Sequence, residues 1–258
     1  MHSTKNRAQS TVGKQVRPFF VREDLASVGS TMNMQQPTGD HDDNLYTGPE
    51  RVWSGYPNAG LDKALRAVGW TQQTVAGTSP VPRALDIGCG EGADAVFMAQ
   101  LGFAVTACDP VATAIARTEQ SAAAAGVFLT TVVAGIDTIA ATVADCAVVT
   151  SFFVPLIKSR GDLEVLDRLV GPGGALIIAH HDNPSRQLER NGISPDDLID
   201  PVTADTELSA RGWQQVAGFT VAANHHSHAH RHRHPDTGDT YVPGDTVIRI
   251  LRKPADGK

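Results

Sequence analysis

Two acids and three glycines in one stretch, RALDIGCGEGADAVFMAQLGFAVTACD, have the types and the spacing of a ligand site. Asp86 stands two residues before Gly88, and Gly90 and Gly92 follow at every second position. Glycines at this spacing let bare backbone approach a ligand, and a helix that begins after them offers unpaired N–H groups. Asp109 ends the next predicted strand, where a carboxylate can accept both hydroxyls of a ribose. These residues therefore predict a nucleoside-binding site.

The charge of Asp86 decides which nucleoside we expect. Gly88, Gly90 and Ala93 match the dinucleotide pattern G-x-G-x-x-G/A, which is not specific by itself. A buried acid beside a pyrophosphate would meet like charge, whereas it would attract a cation. S-adenosylmethionine carries an ammonium and a sulfonium and no phosphate, so we predict it as the cofactor. A nicotinamide-dependent oxidoreductase remains an alternative, although no Tyr-Lys or Ser-Tyr pair stands near the predicted pocket.

The same stretch carries a family resemblance. ALDIGCGEGADAVFMAQLGFAVTACDPVATAIARTEQSAAAAGV resembles the first half of a class I S-adenosylmethionine-dependent methyltransferase. GPERVWSGYPNAGL before it and GDTVIRILR near the end resemble the small bacterial branch of that family akin to tellurite-resistance and thiopurine methyltransferases. The resemblance spans about residues 48–254. It implies in-line transfer of a methyl group to a small-molecule nucleophile, whose accepting atom can be oxygen, sulfur, nitrogen or a soft chalcogen.

The resemblance also implies which residues hold the cofactor. They are Trp53, Asp86, Gly88, Cys89, Gly90, Gly92, Asp109, Pro110, Asp137 and Ser151. Among them, Asp86 reaches the methionine ammonium directly or through water, the glycines lie along the methionine portion, and Asp109 holds the ribose. Similar family members place an acid just after the third strand, against the adenine amino group. Here Gly135 takes that place and Asp137 is displaced from it.

Residues 51–61, RVWSGYPNAGL, hold two aromatic side chains ahead of the first predicted helix. Trp53 and Tyr56 stand in a segment broken by Gly and Pro, which is typical of a loop that can fold over a pocket. Similar family members use this stretch to cover the cofactor and the acceptor. The alternative is that the two aromatics only attach the N-terminal segment to the core.

Two histidines are the candidates for acid–base catalysis. The strand predicted over residues 175–179 ends in His180 and His181, and ligands in open α/β sheets bind at the carboxyl ends of strands. Residues 150–153 should border the same crevice, where we expect the methyl acceptor to enter. An imidazole titrates near neutral pH, so either histidine can take a proton from an acceptor hydroxyl, thiol or amine. The alternative is that one of them is a hydrogen-bonded residue of the wall.

Alternating helices and strands must position these residues. The predicted strands cover residues 84–89, 103–108, 127–133, 146–151, 175–179, 214–223 and 246–252. The predicted helices cover residues 58–68, 93–101, 111–125, 156–169 and 204–211. This alternation favours an α/β fold with a doubly wound, mainly parallel, Rossmann-like sheet, and the resemblance implies seven strands with an antiparallel C-terminal hairpin.

Composition argues against several other classes of protein. The 258 residues carry a net charge of −6 with 19% charged residues, which gives no general attraction to nucleic acid or to a membrane surface. No apolar run approaches the roughly 20 residues that span a bilayer. The three cysteines have no metal-ligand spacing and are most simply reduced thiols. We therefore expect a cytoplasmic enzyme whose partner is a small-molecule methyl acceptor.

Two stretches stand outside this scheme. Residues 1–44 are polar and change from basic to acidic, which predicts a flexible arm before a methyltransferase domain at residues 45–258. The run HHSHAHRHRH at 225–234 places histidines with period two, and on a strand they would share a face that can hold zinc, nickel or copper. Arg231 and Arg233 add repulsive charge, so we predict no physiological metal site. A metal-binding protein without catalysis and a pH-sensitive cationic rim remain alternatives.

Overall fold

The computed structural model of the protein describes Tyr46, Gly48 and residues 51–182, 192–223, 232–233, 240–241 and 244–255. All of these fall within one compact unit, residues 38–258. The predicted arm at residues 1–44 and most of the histidine-rich run at 225–234 lie outside the described residues, so both remain predictions.

Helices and strands alternate along the chain, as the sequence predicts. The helices are α1 (Leu61–Ala67), α2 (Gln72–Ala76), α3 (Ala93–Leu101), α4 (Ala112–Ala125), α5 (Ile136–Ile139), α6 (Asp162–Leu169) and α7 (Pro201–Ala210), with a short 3₁₀ turn at Pro195–Asp197. The strands are β1 (Arg83–Ile87), β2 (Ala104–Asp109), β3 (Thr130–Val133), β4 (Cys146–Phe152), β5 (Val170–His181), β6 (Gln214–Val221), β7 (His232–Arg233), β8 (Thr240–Tyr241) and β9 (Thr246–Arg252).

The strands form a seven-stranded sheet in the order β3-β2-β1-β4-β5-β9-β6, and β7 pairs with β8 separately. The first five strands pair in parallel, whereas β9 runs antiparallel to both β5 and β6. Parallel neighbours need crossover connections, which α3 to α6 supply in turn. The predicted fold class, a mainly parallel doubly wound sheet with antiparallel C-terminal strands, is confirmed.

Side chains point alternately to the two faces of the sheet along each strand, so each functional side chain can be assigned to one face. On β4, Val148 belongs to the hydrophobic cluster that includes α1 and α3, and Val149 to the cluster that includes α6 and α7. Successive side chains point to opposite faces, so Thr150 shares the face of Val148 and Ser151 shares the face of Val149. We call these the α3 face and the α6 face.

The helix predicted over residues 156–169 is shorter than expected, because α6 begins only at Asp162. Its N-terminal neighbour Gly161 has a φ of 74°, and the fully buried Asp162 accepts the backbone N–H of Ile157 at 2.7 Å. Ile157 also forms a β-bridge with Leu198. These contacts hold Ile157 in a β-bridge and are followed by a turn at residues 158–161, where Gly161 N–H donates to the carbonyl of Lys158 at 2.9 Å, so the local helical pattern is overridden.

The sequence Gly-Pro-Gly-Gly at residues 171–174 is typical of a turn, but in the structure it is part of β5, which begins at Val170. A Cβ atom at Gly174 would lie 2.6 Å from the carbonyl oxygen of Cys146. The glycine there serves a close approach of the strand to β4, not a reversal of the chain. At its other end β5 includes both histidines, because the strand ends at His181.

Candidate functional site

The glycine loop, residues 88–92, connects β1 to α3 as predicted. Gly92 is the N-cap of α3 and has a φ of 82°. Gly88 has a φ of 67°, and a Cβ atom there would lie 2.4 Å from Cγ2 of Val154. Two features exclude a side chain at Gly88: the positive φ of its backbone and the close packing of Val154. The loop therefore presents backbone at its outer surface, as a ligand cradle requires.

Asp86 lies at the carboxyl end of β1 on the α3 face and is 2% exposed. Its Oδ1 atom accepts the hydroxyl of Thr150 at 2.7 Å. Its Oδ2 atom is buried and makes no hydrogen bond of normal geometry with the residues that the structure describes, although the backbone N–H of Ala95 lies near the carboxylate. Burial raises the pKa of Asp86 well above its usual value, and the nearby charge of Asp94 raises it further. A cation placed against Oδ2 would relieve both effects.

Asp109 ends β2 beside the glycine loop and is 7% exposed. Its Oδ2 atom accepts the backbone N–H of Gly90 at 3.0 Å, and its Oδ1 atom accepts that of Val111 at 2.9 Å. These two bonds orient the carboxylate beside the loop. The predicted ribose-binding acid is therefore adjacent to the predicted cradle.

The cover segment, defined as Tyr46, Gly48 and residues 51–58, packs on the glycine loop through two aromatic side chains. The indole Nε1–H of Trp53 donates to the hydroxyl of Tyr46 at 3.0 Å. A Cβ atom at Gly90 would lie 3.1 Å from Trp53 Nε1 and 3.3 Å from the Tyr46 hydroxyl. Tyr56, by contrast, is 65% exposed and is not a core residue. The predicted position of Trp53 over the cradle agrees with this geometry, and its contact with the cofactor stays a prediction.

Two acids that the sequence analysis did not single out hold the cover segment in place. Glu91 accepts the backbone N–H groups of Val52 and Trp53, each at 3.0 Å. Asp94 accepts the backbone N–H of Asn58 at 2.6 Å and its side-chain amide at 2.8 Å. The usable signal was their position on either side of the N-cap Gly92, because the N-terminus of a helix favours acidic side chains.

The two predicted catalytic histidines lie on opposite faces of β5. His180 lies on the α6 face with Ser151, and both side chains are buried. Within the described part of the chain, the ring nitrogens of His180 and the hydroxyl of Ser151 have no hydrogen-bond partner. Burial lowers the pKa of His180, so its imidazole is neutral at pH 7. His181 is partly exposed and lies on the α3 face, which is also the face of Asp86.

Phe153 connects the ends of β4 and β5 beside the histidines. Its ring stacks on that of His181, with the centroids 4.4 Å apart, and its N–H donates to the carbonyl of Ala179 at 2.8 Å. Its φ of 62° is unusual for a residue with a side chain, and such strained residues cluster at functional sites. The aromatic ring is thereby held against His181 at the mouth of the expected acceptor crevice.

Three further predicted residues line the edge of the site. Pro110 is exposed directly after Asp109, and Asp137 is exposed in the first turn of α5, where it accepts the hydroxyl of Thr138 at 3.2 Å. The N–H of Cys89 donates to the carbonyl of Cys108 at 3.0 Å, which fixes the turn after β1. Burial raises the pKa of the Cys89 thiol far above its usual value, so this cysteine is protonated and is not a nucleophile.

A surface cavity of about 710 Å³ lies between α3 and α4, on the outer side of the cover segment. Arg51, Tyr56, Phe97 and Gln120 are among the residues that line it. Its lining residues come from the cover segment, α3 and α4, and none comes from the carboxyl ends of β1, β4 and β5, where Asp86, Ser151 and His180 lie. We therefore place the candidate active site at the strand ends and not in this cavity.

The glycine loop and the first parallel strands match a known family. Residues 84–174, from β1 into β5, match the family model described as a methyltransferase domain. A comparison with curated proteins gives no match. No helix of the described residues is long and apolar enough to cross a membrane. Within those same residues, no group of three or more His, Cys, Asp and Glu side chains could hold a metal ion.

Solved structures share this fold at low sequence identity. The N-methyltransferase NodS from Bradyrhizobium japonicum WM9, in complex with S-adenosyl-l-homocysteine, is 14% identical with a TM-score of 0.56, over 82% of this chain and 96% of its own. A putative sarcosine dimethylglycine methyltransferase from Galdieria sulphuraria is 17% identical with a TM-score of 0.54, over 84% of this chain and 99% of its own. A structure described as "Conversion of a Disulfide Bond into a Thioacetal Group during Echinomycin Biosynthesis" is 22% identical with a TM-score of 0.57, over 84% and 91%.

Proposed function

We propose that this protein, a class I S-adenosylmethionine-dependent methyltransferase, transfers the cofactor's methyl group to a small-molecule nucleophile by in-line displacement. The family predicted from the sequence is confirmed by the methyltransferase domain at residues 84–174 together with the fold. The narrower resemblance to the tellurite-resistance and thiopurine branch stays a prediction. When bound, the cofactor supplies an activated methyl group on a sulfonium, so the acceptor needs only to be placed in line with it.

The observation that carries the proposal is the buried carboxylate of Asp86. One of its oxygens accepts the hydroxyl of Thr150, and the other makes no hydrogen bond of normal geometry with the described residues, although the backbone N–H of Ala95 lies close enough to favour the charged form. An unpaired buried carboxylate is costly for the fold, and a ligand ammonium would remove that cost through a charge-assisted hydrogen bond. A pyrophosphate at the same place would add to it. Asp86 therefore favours an adenosyl cofactor with a methionine ammonium over a dinucleotide.

The remaining cofactor contacts come from the glycine loop and its neighbours. Asp109 would accept the ribose hydroxyls, because its orientation is set by the N–H groups of Gly90 and Val111. The glycine loop would lie along the methionine portion, and Trp53 would exclude water from above. In this arrangement the protein contributes chiefly proximity, orientation and a dry site.

His181 is the better placed of the two histidines to act as the base. It lies on the face of Asp86, it is partly exposed, and Phe153 holds its ring in one orientation. A hydroxyl or amine acceptor would lose its proton to this imidazole, whereas a thiolate or another soft anion would need no base. His180 is buried on the opposite face of β5, so we assign it a structural role in the wall of the sheet.

Calorimetric titration tests the proposal directly. We expect S-adenosylhomocysteine and S-adenosylmethionine to bind with micromolar dissociation constants and NADH not to bind. Asp86→Asn should weaken both adenosyl ligands, whereas Asp167→Asn, which alters an acid on the far side of the sheet beside Trp213, should not. Repeating the titration with a chelator separates this site from metal binding by the histidine-rich run. Binding of NADH in place of the adenosyl ligands would favour the oxidoreductase alternative.

A further inference from the structure

We infer that the Glu91–Arg117 ion pair is a latch that positions the cover segment over the glycine loop and thereby limits how fast the cofactor leaves. The inference rests on the proposed function, because it takes the adenosyl cofactor to be the ligand under the cover. Glu91 and Arg117 are positioning residues here, because they hold backbone groups of Tyr46, Gly48, Val52 and Trp53 and need not touch the reacting atoms.

Glu91 uses both of its oxygens, although it is only 2% exposed. Oε1 accepts the N–H of Val52 at 3.0 Å and Nη1 of Arg117 at 2.7 Å, and Oε2 accepts the N–H of Trp53 at 3.0 Å. The residue stands between Gly90 and Gly92, inside the cradle itself. The same short loop therefore carries the expected cofactor site and the anchor of its cover.

Arg117, on α4, also binds the cover segment. Its Nη2 donates to the carbonyl of Tyr46 at 3.2 Å and to the carbonyl of Gly48. Its guanidinium also lies over the Tyr46 ring, 5.6 Å from the centroid. Glu91 thus accepts N–H groups of the cover segment, and Arg117 donates to its C=O groups. Because all of these are backbone groups, the pair fixes the backbone of the cover segment independently of the side chains that the segment carries.

The backbone path decides where the two aromatic side chains lie. With the backbone of Tyr46 and Trp53 held, the Trp53 indole donates to the Tyr46 hydroxyl and both groups rest on Gly90. Tyr46, Val52 and Trp53 pack with Val111 in a small hydrophobic cluster that is separate from the two clusters of the main core. The cover can therefore shift without disturbing the packing of the sheet, and the latch is the charged contact that opposes this shift.

The latch stays charged at the pH at which the enzyme would work. Burial alone would raise the pKa of Glu91, but the N–H of Trp53 and the guanidinium of Arg117 hold it below its usual value. Asp94, the second anchor, behaves differently, because burial raises its pKa despite the two bonds from Asn58. Loss of the Glu91 charge by substitution should consequently loosen residues 52–53 while the anchor at Asn58 persists.

The test is the dissociation rate of S-adenosylhomocysteine, measured by stopped flow in the full-length protein. Glu91→Gln should speed release about tenfold or more, because one acceptor and the charge of the pair are lost. Arg117→Lys keeps the charge but cannot reach two carbonyls and the carboxylate together, so we expect a smaller increase. Asp162→Asn is the matched control: it breaks another buried carboxylate–arginine pair, with Arg160, away from the cover. It should lower the thermal midpoint and leave the release rate unchanged.

Two outcomes would overturn the latch. One is a release rate for Glu91→Gln within about twofold of wild type, since affinity differences between related complexes appear mainly in dissociation. The other is an equal acceleration in Asp162→Asn, which would show a general loss of stability. If the wild-type protein binds no adenosyl ligand at all, the proposed function fails instead. Amide hydrogen exchange of residues 51–58 in the ligand-free protein then still tests the latch, because Glu91→Gln should speed exchange at Val52 and Trp53 and Asp162→Asn should not.

Discussion

The hydroxyl of Thr150 donates to Oδ1 of Asp86 at 2.7 Å and joins the ends of β1 and β4 on the α3 face. Thr150 is itself fully buried, so this bond orients the carboxylate without bringing water to it. Only one oxygen is satisfied in this way. The carboxylate is thus aimed and left with unused negative charge, which is how a fold can prepare a site for a cationic ligand at some cost to its own stability.

Asp86→Asn should stabilise the ligand-free protein and weaken cofactor binding. Folding raises the pKa of Asp86, so the folded protein binds this proton more tightly than the unfolded chain does. The contribution of this group to stability is therefore greatest at low pH and is lost as the pH rises through the raised pKa. Removing the charge should therefore raise the free energy of unfolding at pH 7 by about 1 kcal/mol, or roughly 2–4 °C. Calorimetric scans between pH 5 and 8 would measure it. A variant that unfolds earlier at pH 7 yet binds normally would contradict the role of Asp86.

Asp109→Ala should weaken S-adenosylhomocysteine binding by roughly 1.5–3 kcal/mol, because charge-assisted bonds to the ribose are lost. The same change leaves the N–H groups of Gly90 and Val111 without their acceptor, so Asp109→Asn should accompany it. Asn keeps an acceptor for one of them and should lose less affinity. Titration calorimetry gives both values, and unchanged affinity in a folded Asp109→Ala protein would show that the ribose lies elsewhere.

Gly88→Ala should destabilise the fold by about 1–3 kcal/mol, since the new methyl group meets Val154 and the backbone has a positive φ. Val154→Ala removes the side chain that the new methyl group would meet. The double variant Gly88→Ala, Val154→Ala should therefore lose less free energy of unfolding than the sum of the losses in the two single variants. Urea unfolding of the two single variants and the double variant gives this coupling. Strictly additive losses would mean that the glycine is needed only for its backbone conformation.

Acid should destabilise the protein through His180. Burial lowers the pKa of this imidazole, so below about pH 6.5 the unfolded chain takes up a proton that the folded state resists. Stability from this group is present above that pH and is lost as the pH falls toward the lowered pKa. In His180→Gln the fall should be shallower by up to about 1.4 kcal/mol per pH unit. Denaturant titrations from pH 7.5 to pH 5 would detect it, and parallel curves for the two proteins would mean that His180 is protonated alike in both states.

His181→Gln should separate acceptor classes. With a hydroxyl acceptor such as a catechol, turnover should fall on the order of 10²-fold, because the base is lost. With an aromatic thiol that ionises by itself, turnover should change little, and S-adenosylhomocysteine affinity should be unchanged in both cases. Initial rates with the two acceptors at saturating cofactor would decide. An equal fall with both would point to a role in binding the acceptor rather than in removing its proton.

Much of the fold followed from local patterns. α3 and β9 have the predicted bounds, and β1, β2 and α4 differ by one or two residues at an end, because apolar periodicity and the glycines at 88–92 and 126 act over a few neighbouring positions. The start of α6 at Asp162 was missed. Its cause is a contact between Asp162 and Ile157 together with a β-bridge to Leu198, and neither leaves a trace in a helical pattern.

The sequence by itself determined the spacing from which the class of ligand is predicted: Asp86, the glycine loop and Asp109 are close along the chain, and they place a carboxylate at each end of a bare backbone turn. The tertiary structure alone decided which histidine shares the face of Asp86, because the strand runs on through His180 and His181 and puts them on opposite faces. It also decided what holds the cover, since Glu91 and Arg117 are 26 positions apart and meet only when α4 packs beside the loop. Local spacing can specify a turn and its charge, but contacts between distant side chains exist only once the chain is packed.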